Sequence, residues 1–172
     1  ARLPAWIPFY KETLDGQVQP LRTLYSHVYS EDYPIQVADS LYLIKGYQKK
    51  IFDTISNVAL ESKQYRYSDL PYYFIARYLN KETDPFEQQI DHFLYKPLGA
   101  TMTGYHPLLR FNKKAIVPSE IDTYFRQDTI QGFVHDMGAA MLGGVSGHAG
   151  LFSNANDITK IMQMFLQGGV YG

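Results

Sequence analysis

The stretch YSDLPYYFIARYL (Tyr67–Leu79) places three polar side chains at the start of an apolar, helix-forming segment. Ser68 or Asp69 can cap a helix there, and Pro71 suits the first turn, where a missing N–H leaves no hydrogen bond unmade. The apolar positions that follow have helical spacing: Phe74, Ile75, Tyr78 and Leu79. The stretch therefore predicts a helix that displays Tyr67 and its two polar neighbours at the N-terminal end.

Apolar spacing outside this stretch predicts further helices, and no convincing alternating strand pair is present. Residues 36–60 carry apolar side chains at intervals of three, four and seven, which predicts one long helix. Asp84-Pro85-Phe86-Glu87 is a capping-box pattern that begins another helix. Ser153 or Asn154 is the expected N-cap of the last helix. We therefore expect a mainly α chain with long ordered loops.

These patterns divide residues 1–172 into a single region with five parts. They are an extended aromatic-rich segment (1–35), the long helix (36–60), the Tyr-Ser-Asp motif with two helices (67–99), cleft loops (100–153) and the last helix (154–168). Irregular segments as long as 100–153 in a compact domain are usually functional.

Composition excludes several classes of function. With 16 Lys+Arg against 17 Asp+Glu, the chain lacks the basic footprint of a nucleic-acid-binding protein. No apolar run approaches the roughly 20 residues of a membrane span. The absence of cysteine excludes disulfides and thiolate chemistry. The first residues have no signal-peptide pattern, so we expect them to come from the interior of a longer protein. The 15 tyrosines suit either a sugar-binding face or a half-buried packing layer.

Tyr67 and Asp69 can direct a phenol and a carboxylate into the same cleft. A phenol has a pKa of about 10, so it acts as a general base only where nearby cations lower that pKa. Helix capping alone would also explain Ser68 and Asp69.

Two loop motifs carry the remaining candidate side chains. His135 and Asp136 are adjacent, and neighbours on an extended chain point to opposite sides, so we expect two independent hydrogen-bonding groups. Ser146 and His148 lie in a glycine-rich loop, but Gly144-Val145-Ser146-Gly147-His148 is one residue out of register with the Gly-x-Ser-x-Gly nucleophile elbow. We therefore expect a structural loop beside an active site.

Neither a metal nor a cofactor is predicted. The five histidines show no paired ligand spacing, and neither a Gly-x-x-x-x-Gly-Lys-Ser/Thr nor a Gly-x-Gly-x-x-Gly pattern occurs.

In combination, three motifs resemble the serine β-lactamase and penicillin-binding-protein-like hydrolases. They are Tyr67-Ser68-Asp69, the segment KPLGATMTG at 96–104, and GGVSGHAGLFS at 143–153. The last of these, with the preceding Val134-His135-Asp136, is similar to one class C-like β-lactamase and esterase branch. That branch includes modules found beside family-3 N-acetylglucosaminidases.

The resemblance implies a fold, a reaction and roles for named residues. The fold would be the helical lobe of a β-lactamase-like α/β serine hydrolase, with most of the sheet missing. Tyr67 would manage the proton of an acyl-transfer reaction, with Asp69 as the third residue of that motif. His135, Ser146 and His148 would line the substrate side of the cleft. The implied substrates are β-lactams, D-alanyl peptides or esters, and the implied location is periplasmic or exported.

The chain departs from the family because no serine is followed by lysine three residues later. The Ser-x-x-Lys nucleophile and the C-terminal motif are therefore expected in other parts of the parent domain, and the chain alone is expected to be inactive. Such a lobe would also expose an apolar face and self-associate unless its helices repack. Two alternatives remain: a non-catalytic peptidoglycan- or sugar-binding module with a tyrosine-rich surface, and a purely structural accessory domain.

Overall fold

A computed structural model describes residues 2–60, 63–81 and 84–171. Within these ranges the α-helices are α1 (Tyr47–Ser56), α2 (Leu70–Leu79), α3 (Phe86–Ile90), α4 (Met137–Met141) and α5 (Ala155–Leu166). The strands are β1 (Tyr25–Ser26), β2 (Ile35–Ala38), β3 (Leu41–Leu43), β4 (Glu120–Asp122) and β5 (Asp128–Ile130). Short 3₁₀ helices cover Phe9–Thr13, Pro107–Leu109 and Lys113–Ala115, and a π-helical turn, Asp91–Tyr95, continues α3.

The expected long helix over 36–60 is wrong. Its first part is the β2–β3 hairpin, which with β1 forms an antiparallel sheet in the order β1-β3-β2, and only α1 is helical. The spacing of four between Val37 and Leu41 spans a two-residue turn between strands, not a turn of helix. Gly46, with φ +83°, then lets the chain turn into α1.

The expectation of a mainly α chain is also corrected, because the fold is mixed α+β. Besides the first sheet, β4 and β5 form an antiparallel hairpin within the segment expected to hold only loops. Its turn is built on a buried carboxylate: Asp122 accepts hydrogen bonds from the Phe125 N–H at 2.8 Å and from Arg126 Nε at 2.8 Å. Three-residue strands are too short to give a clear alternating pattern.

Two predicted helices are confirmed. Helix α2 begins at Leu70, and α5 begins after Asn154, whose side chain accepts a hydrogen bond from the Asp157 N–H at 2.9 Å. The predicted capping box before α3 is absent. The Asn80 side chain instead accepts from the Phe86 N–H at 3.0 Å.

The core joins the first sheet to α1, α2 and α4. Its buried residues include Phe9, Val37, Leu43, Ile51, Leu70, Tyr73, Phe125 and Met141. A smaller cluster of Tyr95, Leu98, Ala100 and Ile161 holds α5 against the end of the π-helical turn. The tyrosines occupy both kinds of environment: Tyr25 and Tyr73 are buried, while Tyr65 and Tyr78 are exposed. None of the helices in the described ranges is long and apolar enough to cross a membrane.

Candidate functional site

Tyr67 and Asp69 are in direct contact at the start of α2. The Tyr67 hydroxyl donates a hydrogen bond to Asp69 Oδ1 at 2.6 Å, and the Tyr67 side chain is exposed. Asp69 occupies the N-cap position, but its carboxylate makes no capping hydrogen bond. Capping therefore does not account for Asp69, which is engaged with the phenol.

The N-terminal segment holds this pair in place. Ser68 is buried, and its hydroxyl donates to the Pro4 carbonyl at 2.6 Å. The Asp69 N–H donates to the Ala5 carbonyl at 2.9 Å. These two bonds fix the backbone between Tyr67 and α2, so the backbone beside the exposed phenol is anchored to the N-terminal segment.

Asp69 strengthens the hold of Tyr67 on its proton. The hydrogen bond to Asp69, and then the negative charge of that carboxylate, raise the pKa of Tyr67 above its ordinary value. In this arrangement Tyr67 is a neutral hydrogen-bond donor and not a general base at neutral pH.

A second set of polar side chains joins the buried Ser146 and His148 to Asp136, whose side chain is 37% exposed; we call these three residues the buried array. The Ser146 hydroxyl lies 2.9 Å from His148 Nδ1, and His148 Nε2 lies 3.0 Å from Asp136 Oδ1. Asp136 Oδ1 also accepts from the Ala139 N–H at 2.7 Å and so caps α4. The array ties the glycine-rich loop to the start of α4.

The hydrogen bonds of Asp136 also set its protonation state. Burial by itself would raise the pKa of Asp136, but hydrogen bonds from His148 and from the Ala139 N–H outweigh burial and hold the pKa below its usual value. Asp136 is therefore an anion at neutral pH and a permanent acceptor for the imidazole.

Helix α2 contacts the buried array through Tyr73. The rings of Tyr73 and His148 stack with centroids 4.3 Å apart and an interplanar angle of 14°. Two glycines allow this approach. A Cβ on Gly138 would lie 2.0 Å from the Tyr73 hydroxyl, and one on Gly147 would lie 2.5 Å from the Tyr72 carbonyl oxygen. Helix α2, α4 and the glycine-rich loop therefore pack as one unit behind Tyr67.

The buried array contains the same side-chain types as a serine-protease triad, but its surroundings differ. Ser146 is 1% exposed, and the side chain of His148 is 4% exposed. An acyl substrate has to reach a serine nucleophile from solvent. This burial favours a structural role, in which the array acts as a clamp on the glycine-rich loop. Ser146 and His148 would then affect a substrate only by positioning that loop.

His135 is separate from the buried array, as the alternation of an extended chain predicts. Its exposed ring has Nδ1 3.5 Å from Glu120 Oε2, while its backbone carbonyl accepts from Arg126 at 2.7 Å. The sequence identifies His135, Ser146 and His148 as candidate site residues. It gives no sign of Tyr73 beyond a position on a helix. Asp136 was noted only as the neighbour of His135.

The described part of the chain contains no group of three or more histidine, aspartate or glutamate side chains able to hold a metal ion.

The chain is similar to bacterial proteins named "Putative D-alanyl-D-alanine carboxypeptidase". One, from Escherichia coli (strain K12), is 39% identical over an alignment of 119 positions; the match covers 62% of this chain and 27% of that protein. Another, from Salmonella agona (strain SL483), is 33% identical over an alignment of 159 positions; the match covers 78% of this chain and 37% of that protein. No protein-family model matches the chain.

The matched residues cover little more than a third of these relatives at most. The names of these relatives are those of hydrolases, which agrees with the family that the three motifs resemble.

Proposed function

We propose that this chain is the α2-containing lobe of a peptidoglycan-acting serine acyl hydrolase with a β-lactamase-like fold. The observation that carries the proposal is the pair of the exposed Tyr67 and the half-buried Asp69, joined at 2.6 Å and fixed at the start of α2. The names of the relatives favour a D-alanyl peptide as substrate over a β-lactam or an ester. All three substrates present a carbonyl carbon to the same kind of nucleophile.

The nucleophile of this reaction belongs to another part of the parent protein. A serine hydroxyl needs an adjacent base to become nucleophilic, and no serine of this chain has a lysine three residues later. Ser68 and Ser146 are buried, and both hydroxyls are engaged within the protein. The chain alone therefore forms no acyl-enzyme.

Tyr67 would take part in the proton transfer of the acylation step once a lysine ammonium lies beside it. With the Asp69 carboxylate hydrogen-bonded to it, the phenol keeps its proton. An ammonium that pairs with Asp69 would offset this negative charge and favour the phenolate. Asp69 would then connect the tyrosine of this lobe to the lysine of the nucleophile motif.

The experiment compares the 172-residue chain with a parent protein that adds the upstream Ser-x-x-Lys. Both are incubated with a fluorescent penicillin, and adducts are measured by intact mass. We expect no adduct on the chain and a stoichiometric adduct on the parent, together with release of D-alanine from an N-acyl-D-alanyl-D-alanine peptide. Tyr67→Phe should slow acylation of the parent at least about a hundredfold, as expected for loss of a proton-transfer group.

Tyr72→Phe is the matched control, because Tyr72 is an exposed tyrosine one turn further along and should leave acylation unchanged. An adduct that maps to Ser68 or Ser146 on the chain alone would overturn the placement of the nucleophile. A parent that is neither acylated nor active on the peptide would overturn the proposed reaction.

A second candidate function is glycan binding without catalysis. Tyr65, Tyr67 and Tyr78 expose 94%, 66% and 85% of their surface, and exposed rings of this kind can stack on sugars. Titration of the chain with muropeptides tests this function. Saturable binding that is lost in Tyr65→Ala and Tyr78→Ala variants would support it, and a flat titration would exclude it.

A further inference from the structure

A cleft of about 680 Å³ opens between α1, α2 and the start of α3. Phe52, Tyr73 and Phe86 give it aromatic walls, and Gly143 of the glycine-rich loop closes one side. Neither Tyr67 nor Asp69 lines this cleft. It is therefore a separate concave surface, large enough for a short peptide or a comparable small molecule.

The charges that line the cleft are mostly positive. Lys49, Arg77 and Lys81 face a single acidic lining residue, Glu87. Lys49 is neutralised by Asp53 at 2.6 Å, outside the lining. Arg77 lies with its guanidinium carbon 4.4 Å from the centre of the Phe52 ring and has no carboxylate partner among the described residues. A guanidinium packed against an aromatic ring keeps N–H groups available for a carboxylate.

His106 lines the same cleft in a strained conformation. Its φ and ψ are 47° and 58°, in the left-handed region that residues other than glycine seldom adopt. Gly144 makes room for the ring, because a Cβ there would lie 3.1 Å from His106 Cε1. Within the described ranges, neither ring nitrogen has a hydrogen-bond partner. The fold thus holds an unpartnered imidazole in a costly conformation at the cleft.

We propose that this cleft binds a carboxylate-bearing peptide, with Arg77 pairing with the carboxylate and His106 hydrogen-bonding to the ligand. The aromatic walls favour a peptide over a bare anion, because they can pack against apolar groups of the bound peptide. The side-chain oxygen of Asn80 accepts a hydrogen bond from the Phe86 N–H. The side-chain NH₂ group of Asn80 can therefore donate to a carbonyl of the peptide. This site is distinct from the proposed acyl-transfer site, and its test does not depend on catalysis.

The test is an NMR titration of the ¹⁵N-labelled chain with triglutamate, with triglutamine as the uncharged analogue and inorganic phosphate as the bare anion. We expect triglutamate to shift the amide resonances around Arg77, His106 and Gly143, with an affinity at least about tenfold higher than that of the other two probes. Equal affinities for triglutamate and triglutamine would overturn the role of the carboxylate. Equally tight binding of phosphate would overturn the choice of a peptide.

Substitutions then locate the site. Arg77→Gln should weaken triglutamate binding about tenfold, and His106→Asn about threefold, since asparagine tolerates the left-handed conformation. Lys114→Gln is the control, because Lys114 is an exposed cation that does not line the cleft. If Arg77→Gln loses its dispersed spectrum, Lys81→Gln replaces it and should also weaken binding. Unchanged affinity in a folded Arg77→Gln or Lys81→Gln variant, or resonance shifts confined to other surfaces, would overturn the proposal.

Discussion

The imidazole of His148 lies between Tyr73 and Asp136, stacked on the first with ring centroids 4.3 Å apart and hydrogen-bonded to the second at 3.0 Å. This single side chain therefore connects α2, the glycine-rich loop and the start of α4. Tyr67 and Asp69 stand at the beginning of the same α2. The buried array therefore supports the proposed catalytic pair through α2, in addition to the hydrogen bonds that Ser68 and Asp69 make to the N-terminal segment.

Removal of the His148 imidazole should destabilise the chain strongly. His148→Ala leaves Asp136 and Ser146 without their shared partner and opens a gap beside Tyr73, so we expect the free energy of unfolding to fall by about 2–4 kcal/mol. Urea denaturation followed by circular dichroism measures this change. His135→Ala, at an exposed ring, is the control and should cost no more than about 0.5 kcal/mol. Equal losses in the two variants would contradict the clamp.

The contact between Gly138 and Tyr73 can be tested by crowding and rescue. Gly138→Ala would place a methyl group 2.0 Å from the Tyr73 hydroxyl, so we expect a loss of about 1–3 kcal/mol. Tyr73→Phe removes that hydroxyl and should restore part of the loss in the double variant, which thermal denaturation can measure. Gly16→Ala is the control, because a Cβ at Gly16 meets no atom within 4 Å. Additive losses in the double variant would show that the hydroxyl is not the obstacle.

Acid should weaken the fold partly through Asp136. A carboxyl whose pKa is lower in the folded state stabilises that state above its ordinary pKa, and this contribution is lost as the pH falls through the folded-state pKa. The pKa of Asp136 is lowered in this way, so stability should decline as the pH falls from about 5 to below 3.8.

Asp136→Asn should reduce the slope of stability against pH in this window, as measured by urea midpoints at successive pH values. Part of the slope should remain, because hydrogen bonds also lower the pKa of Asp122 and Asp157 against the effect of their burial. An unchanged slope in Asp136→Asn would contradict the assignment to Asp136.

The β4–β5 hairpin depends on a buried ion pair. Asp122 and Arg126 are joined at 2.8 Å, and both side chains are fully buried. Asp122→Ala would leave the buried Arg126 guanidinium with only the more distant Glu120 carboxylate, at 3.9 Å, so we expect a loss of about 3 kcal/mol in the free energy of unfolding. Asp53→Ala is the control, because the Lys49–Asp53 pair is exposed and should contribute at most about 1 kcal/mol. Guanidinium chloride denaturation measures both losses. Equal losses of unfolding free energy in Asp122→Ala and Asp53→Ala would contradict a special contribution from the buried Asp122–Arg126 pair.

Local patterns predicted the parts of the fold that local interactions stabilise. Helix α5 follows from an Asn N-cap and an apolar stripe of period 3.6, and α2 follows from a proline in its first turn and the apolar residues after it. The order of the motifs also led to the exposed Tyr67 and Asp69. The two helices each depend on residues within about one or two helical turns of one another, whereas the motif order spans residues 67–153.

Contacts between distant residues decided the rest. The spacing of Val37 and Leu41 suits a helix or a hairpin, and pairing of β3 with both β1 and β2 selected the hairpin. Ser68 is held by Pro4, 64 residues earlier, and Asp136 meets His148 from 12 residues away. Composition and periodicity, by themselves, determined the helices α2 and α5 and the absence of thiol chemistry. Only the tertiary structure decided the sheets, the buried array and the basic cleft, because burial and hydrogen bonding between remote segments outweigh local preference.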